Sequence, residues 1–194
     1  MNPLVTAELG ILDWIAAHCH SAFLDVLMPA VTRLGDSGMI WILLGLALLL
    51  LSRRERSTGF QVLLALLLSL LICNLFLKPL VDRIRPCDWN TAVELLIPRP
   101  GDPSFPSGHS SASFAAAMVL VLTKCRGRWA ALALAVVIAF SRLYLYVHFP
   151  TDVLGGILVG TVCALLSVTI WRRWLEKTAL GRALTRGRGD GGPR

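Results

Sequence analysis

The chain has 194 residues, of which 55% are hydrophobic and 16% charged, with a formal net charge of +7 and a mean hydropathy of +0.66. So apolar a composition excludes an ordinary soluble domain. The basic residues fall in short clusters between apolar runs and not along one soluble face, which argues against a nucleic-acid binder and for a membrane surface or a phosphate-bearing substrate.

In chain order, the first apolar segment is about 11–34, interrupted by Asp13, His18, His20 and Asp25. It is either one broken span or an interfacial helix followed by a short one, and the span is the reading preferred here. No cleavable signal peptide is evident in residues 1–20, so the first strong apolar segments are expected to direct insertion themselves. Further runs at about 38–52, 57–77, 107–123, 129–147 and 152–171 each approach the roughly 20 residues that cross a hydrocarbon core. The expected fold is therefore an all-α, polytopic membrane bundle of five to six spans. One domain, 1–176, is followed by a basic tail, 177–194, expected to be disordered, whose Arg/Gly-rich end, 181–194, is expected to touch anionic lipid.

Between the third and fourth runs, residues 79–105 with Pro106 concentrate Pro79, Pro86, Pro98, Pro100 and Pro103, which predicts a stiff irregular cap and not a helix. Its apolar stretch 92–97, with Trp89 upstream, either dips into the bilayer surface or packs the loop onto the helices. In the last run, Gly156 and Gly160 have the small-xxx-small spacing of a close helix contact, read as packing within the bundle. The five cysteines are scattered without a CxxC pair, so neither a disulfide framework nor a zinc site is expected. His18-Cys19-His20 is a poor chelate on a helix and is not read as a metal site.

Cation placement sets the expected orientation. Arg53, Arg54, Arg56, Lys124, Arg126, Arg128 and the tail residues Arg172, Arg173, Lys177, Arg182, Arg186, Arg188 and Arg194 fall on one side, the cytoplasmic one. Arg33, Lys78, Arg83, Arg85, Arg99 and Arg142 fall on the other. Outer cations run against the topology rule, and an anionic ligand is the simplest reason for them; Arg33 and Arg99 are read as ordinary surface residues.

Three polar clusters interrupt the apolar pattern: Lys78 and, after six residues, Arg85-Pro86; Pro106-Ser107-Gly108-His109; and Ser141-Arg142, five residues, His148, three residues, Asp152. This order and spacing resemble the tripartite K-x6-RP, PSGH, SR-x5-H-x3-D signature of the type 2 phosphatidic acid phosphatase (PAP2) superfamily, across about residues 38–171. The resemblance implies a haloperoxidase-like helical core and metal-free phosphate removal through a transient phosphohistidine.

The residue types make the same chemistry intelligible. His148 is the expected nucleophile, with Asp152 accepting one ring N–H so that the other nitrogen stays free. His109, at a helix start, is the expected general acid. Gly108 lets backbone N–H groups approach phosphate, and Ser107 can donate to a phosphoryl oxygen. Lys78, Arg85 and Arg142 would neutralise the transition state, the task a metal performs elsewhere; no metal and no other cofactor is expected. Taken alone, Lys78 reads equally well as a cation anchored at the membrane boundary. Ser141 is a candidate orienting group, and Asp82 with Arg83 a local ion pair without a catalytic role.

The expected function is hydrolysis of a phosphate monoester or diphosphate on a lipid carrier, at an active site facing the outer side of the plasma membrane. By analogy with small bacterial members of the family, undecaprenyl diphosphate is the leading substrate, with phosphatidic acid or phosphatidylglycerol phosphate as the alternative. A lipid or phosphate transporter is the alternative of a different class. It requires no nucleophile with an orienting acid, and repeated halves are not evident.

Overall fold

A computed structural model describes residues 2–185, and every regular element among them is helical. Helix α1 (Pro3–Cys19) and helix α2 (Ala22–Leu34) are parted at His20 and Ser21, both extended, and the Ser21 side chain accepts the Leu24 N–H to start α2. The segment 11–34 is thus two helices and not one continuous span. A tight turn at Asp36–Gly38 leads into α3 (Met39–Leu51), and α4 (Arg56–Ser69) runs on through a wider π-type stretch, Leu70–Leu77, into the single turn α5 (Lys78–Val81).

A second single turn, α6 (Pro86–Trp89), begins with Pro86 at the position where its missing N–H costs nothing. The proline-rich cap is therefore helical at these two places and irregular between them and α7 (Gly108–Leu122). There follow α8 (Arg128–Tyr144), α9 (Pro150–Ile170), which continues to Leu175, and α10 (Ala179–Thr185). The tail, expected to be disordered from residue 177, carries this short helix at Ala179–Thr185; residues 186–194 lie outside the described region.

Among the described residues, two helical stretches are long and apolar enough to cross a membrane, Arg56–Trp89 and Pro150–Leu175. A third exists if Ala22–Leu34 and Asp36–Leu51, bent by 46° at their break, are one span. Five to six separate spans are more than these helices define by length. α3 and α7 have 13 and 15 residues, roughly 20–23 Å at 1.5 Å per residue, against a core of about 30 Å.

The centre of the bundle is α7, packed between α4, α8 and α9. A Cβ on Gly160 would lie 2.3 Å from the Ser111 carbonyl oxygen, and one on Gly156 would lie 2.5 Å from that of Ser107. The spacing read from the sequence is thus a backbone-to-backbone contact of α7 with α9, which run parallel. Buried hydrogen bonds between helices join Ser69 to Ser111 (2.6 Å), Trp41 Nε1 to Ser113 Oγ (2.9 Å) and Ser167 Oγ to the Gln61 carbonyl (2.7 Å). Where lipid offers no competing partner, such bonds give the apolar core a register.

The cap loop packs onto the bundle. Val93, Leu95 and Ile97 turn inward against clusters containing Leu12, Ile15, Tyr144 and Phe149, while Leu96 faces outward. All five cysteines are free thiols. His18 and His20 serve separate local partners, the Trp14 carbonyl for the first and Asp25 with the Tyr144 carbonyl for the second.

Candidate active site

The three motif clusters come together because the bundle alternates direction. α4 ends, α7 begins, α8 ends and α9 begins at the same pole, which brings Lys78, His109, Arg142 and His148 to the wall of one cavity of about 980 Å³. Arg85 and Gly108 line it too. The clusters Arg53–Arg56, Lys124–Arg128 and Arg172–Arg173 follow the opposite helix ends.

His148 is 1% exposed, in the linker between α8 and α9. Its Nε2 is 3.2 Å from Arg85 Nη1. A guanidinium only donates, so Nε2 is the acceptor and the ring proton resides on Nδ1. Nδ1 lies 3.6 Å from Asp152 Oδ2 and has no hydrogen-bond partner. The expected hydrogen bond is thus an approach slightly beyond bonding distance. The reason is that Asp152 Oδ2 already accepts from Phe149 N–H (2.8 Å) and Ser104 Oγ (2.5 Å), capping α9. Burial, then the charges of Arg85, Arg142 and Lys78, push the His148 pKa well below the ordinary imidazole value, so the ring is neutral at physiological pH.

The cations are nearly buried. Lys78 is 7% exposed, which replaces the boundary-anchor reading by an inward one. Arg85 donates to the carbonyls of Val147 (2.7 Å) and Asp102 (2.7 Å). Arg142 donates to Thr32 Oγ1 at 2.5 Å, and its buried Nε has no partner. An orphaned guanidinium N–H on a cavity wall is a donor suited to an anion.

Three expected details are different. Ser107 is fully buried behind the cavity, where its hydroxyl accepts from Ser110 N–H (3.4 Å) and caps α7; Gly108 and His109 form the wall instead. Ser141 Oγ donates to the Ile138 carbonyl within its own helix (2.6 Å) and orients no cation. Arg83 turns away from Asp82, whose left-handed backbone (φ 45) redirects the chain, and pairs with Asp152 and Glu8. Arg33 and Arg99, read as surface residues, both reach the cavity rim, and Arg99 pairs there with Asp88 (2.7 Å).

Several residues of the site were not legible beforehand. Asp102 bridges Lys78 and Arg85, 2.8 Å from the latter, so that a carboxylate occupies the two cations. Burial would raise its pKa, but hydrogen bonding to Lys78 and the charges of Lys78 and Arg85 hold it down at about 2. Its one signal in the sequence is that it is the carboxylate nearest to Pro106-Ser107-Gly108-His109. Asp36, from the turn before α3, holds His109 Nε2 at 2.9 Å. Asn74 packs against Gly108, where a Cβ would meet Asn74 Oδ1 at 3.0 Å. Among the described residues, no group of three or more His, Cys, Asp and Glu has the arrangement of a metal site.

Fixed cations, two imidazoles and a cavity that continues into an apolar helical bundle define a membrane enzyme that handles phosphoryl groups. The PAP2 superfamily profile matches residues 58–176, and the chain belongs to that family of lipid phosphatases. It is 33% identical over 150 residues to an undecaprenyl-diphosphatase of Sulfolobus acidocaldarius, covering 77% of this chain and 71% of that one. To a lipid A 4'-phosphatase of Bacteroides thetaiotaomicron it is 31% identical over 155 residues, covering 73% and 67%. The crystal structure of a transmembrane PAP2-type phosphatidylglycerolphosphate phosphatase from Bacillus subtilis superimposes with a TM-score of 0.74 at 26% identity, covering 92% of this chain and 90% of that one.

Proposed function

We propose that the protein removes the terminal phosphate of a polyprenyl diphosphate carrier, with undecaprenyl diphosphate converted to undecaprenyl phosphate. In this reading it is a five- to six-span plasma-membrane protein whose cavity faces the outer side, opposite the Arg/Lys-rich helix ends. The observation that carries the substrate class is the continuity of the cavity. Its polar end holds Lys78, Arg85, Arg142 and His148, and its lining also includes the apolar side chains of Ile42, Leu63, Leu66, Leu67 and Leu70. A phosphate and an isoprenoid chain fit one continuous surface of that kind. The undecaprenyl-diphosphatase relative supports this choice, and the phosphatidylglycerolphosphate phosphatase supports phosphatidylglycerol phosphate as a second substrate class.

In the proposed reaction, His148 Nε2 attacks the terminal phosphorus while the bond to the leaving lipid-phosphate oxygen breaks. His109 delivers a proton to that oxygen. Lys78, Arg85 and the free Nε of Arg142 take the charge on the equatorial oxygens. Water then attacks the phosphohistidine, giving its proton back to His109, and orthophosphate leaves. Asp152 faces Nδ1–H of the imidazole as it becomes cationic. His148→Ala should abolish orthophosphate release from undecaprenyl diphosphate in detergent, and a rapid alkaline quench of the wild type in SDS should trap a phosphoenzyme that is stable in base and labile in acid. Undiminished release by His148→Ala would reject the assignment.

A further inference from the structure

One buried charged constellation takes no direct part in the proposed reaction. Arg83, in the turn after α5, sends Nη1 to Asp152 Oδ1 (2.6 Å) and to Thr151 Oγ1 (2.7 Å), and Nη2 to Glu8 Oε2 (2.5 Å). Its guanidinium carbon lies 4.1 Å from the centroid of the Phe149 ring. Glu8, on α1, is 3% exposed, and its other oxygen accepts from Thr151 N–H (2.9 Å) and Thr151 Oγ1 (2.6 Å). A single guanidinium is thus shared between two buried carboxylates, one of them the partner of the histidine.

We propose that Arg83, fixed by Glu8, is a positioning residue of the reaction: it ties down Asp152 Oδ1 and supplies the positive charge shared by the two buried carboxylates, so that Oδ2 faces Nδ1–H of His148. The proposal rests on His148 being the nucleophile. Two carboxylates in a buried pocket with no cation between them do not both remain charged, and one takes up a proton. A protonated Asp152 no longer balances the imidazolium that forms as Nε2 bonds to phosphorus. The fork of arginine matters as well as its charge, because two nitrogens span two carboxylates while the plane stacks on Phe149; a lysine supplies one point charge and no stack.

The charged and titratable groups around Asp152 come from three elements: Glu8 from α1, Arg83 from the turn after α5, and His148 from the α8–α9 linker. On the cavity side, Lys78, Arg85, Arg142, Asp102 and His109 face His148. All of these cavity groups are unchanged in the variants below, so a shift in pH dependence reports on the Arg83 constellation.

The test is orthophosphate release from undecaprenyl diphosphate by the full chain in detergent, across pH about 5 to 8, the range in which an imidazole titrates. Arg83→Gln should lower kcat roughly 10- to 100-fold, the scale on which residues that orient a functional side chain act elsewhere. KM should stay within about twofold, and the acid limb of kcat should move up by about one pH unit, because the uncompensated carboxylate pair now binds a proton in the working range. Glu8→Gln removes one negative charge and keeps the Arg83–Asp152 pair, so its acid limb should coincide with that of the wild type.

An Arg83→Gln enzyme with an unmoved acid limb, whether or not its Tm falls, would reduce Arg83 to a structural tie and overturn the proposal. Should Arg83→Gln not accumulate, Arg83→Lys decides. A kcat loss of about fivefold or more with the acid limb unmoved, charge kept and fork lost, supports the proposal, and a wild-type kcat overturns it. Orthophosphate release by His148→Ala would instead remove the reaction on which the proposal depends, so the two failures are distinct.

Discussion

Asp102→Asn offers a sensitive test of the anion site, because in the resting structure Asp102 is the anion bound there. Its carboxylate bridges Lys78 and Arg85, and these contacts hold its pKa at about 2 instead of 3.8 against the opposing effect of burial. At about 1.4 kcal/mol per tenfold this corresponds to roughly 2.5 kcal/mol of net preference for the ionised carboxylate, the attraction of its cations less the cost of burial. The Asp102 side chain is 55% exposed, and solvent screening reduces the useful part to about 1 kcal/mol.

An incoming phosphate must displace that carboxylate or share its cations. Substitution by the neutral, nearly isosteric Asn should therefore tighten competitive inhibition by orthophosphate about fivefold, the equivalent of 1 kcal/mol. The assay is the inhibition constant of orthophosphate against hydrolysis of undecaprenyl diphosphate, repeated at two salt concentrations. An unchanged or weaker inhibition in Asp102→Asn would refute the reasoning and make Asp102 part of the phosphate grip through the orientation it imposes on Lys78 and Arg85. The same linkage gives a stability contribution that is complete above pH 3.8 and is lost as pH falls through about 2.

The depressed pKa of His148 predicts that the acid limb of kcat/KM lies below pH 6.5, since the neutral ring required for attack persists there; a limb above 6.5 would contradict that environment. Gly160→Ala places a Cβ against the Ser111 carbonyl oxygen and Ala115 N, and should cost about 2 kcal/mol through overpacking, seen as a fall in Tm of about 4–8 °C in detergent. An unaltered Tm would mean that α7 and α9 separate without cost. Treatment with EDTA should leave turnover intact, because Lys78, Arg85 and Arg142 supply the positive charge; loss of activity restored by a divalent cation would count against this.

What the sequence by itself determined is the apolar helical character, the identity of Lys78, Arg85, His109, Arg142 and His148 as chemical groups, and a close helix contact at Gly156 and Gly160, whose partner, α7, the packing supplied. These are properties of residue type and short-range spacing, and they survive any packing that places helix ends together. Only the tertiary structure decided who balances those groups. Asp102 reaches back to Lys78, Asp36 reaches forward to His109, and Glu8 meets Thr151 across 143 positions of sequence.

The same cause explains the expectations that were replaced. Ser107 and Ser141 have hydroxyls that any phosphate site could use, yet local geometry commits the first to capping α7 and the second to its own helix. Arg83 has a carboxylate as its immediate neighbour in sequence, but the left-handed turn at Asp82 directs it to Asp152 and Glu8. A charge buried in low dielectric takes whichever opposite charge the fold delivers. That partner is a matter of how distant helices pack, and spacing along the chain does not contain it.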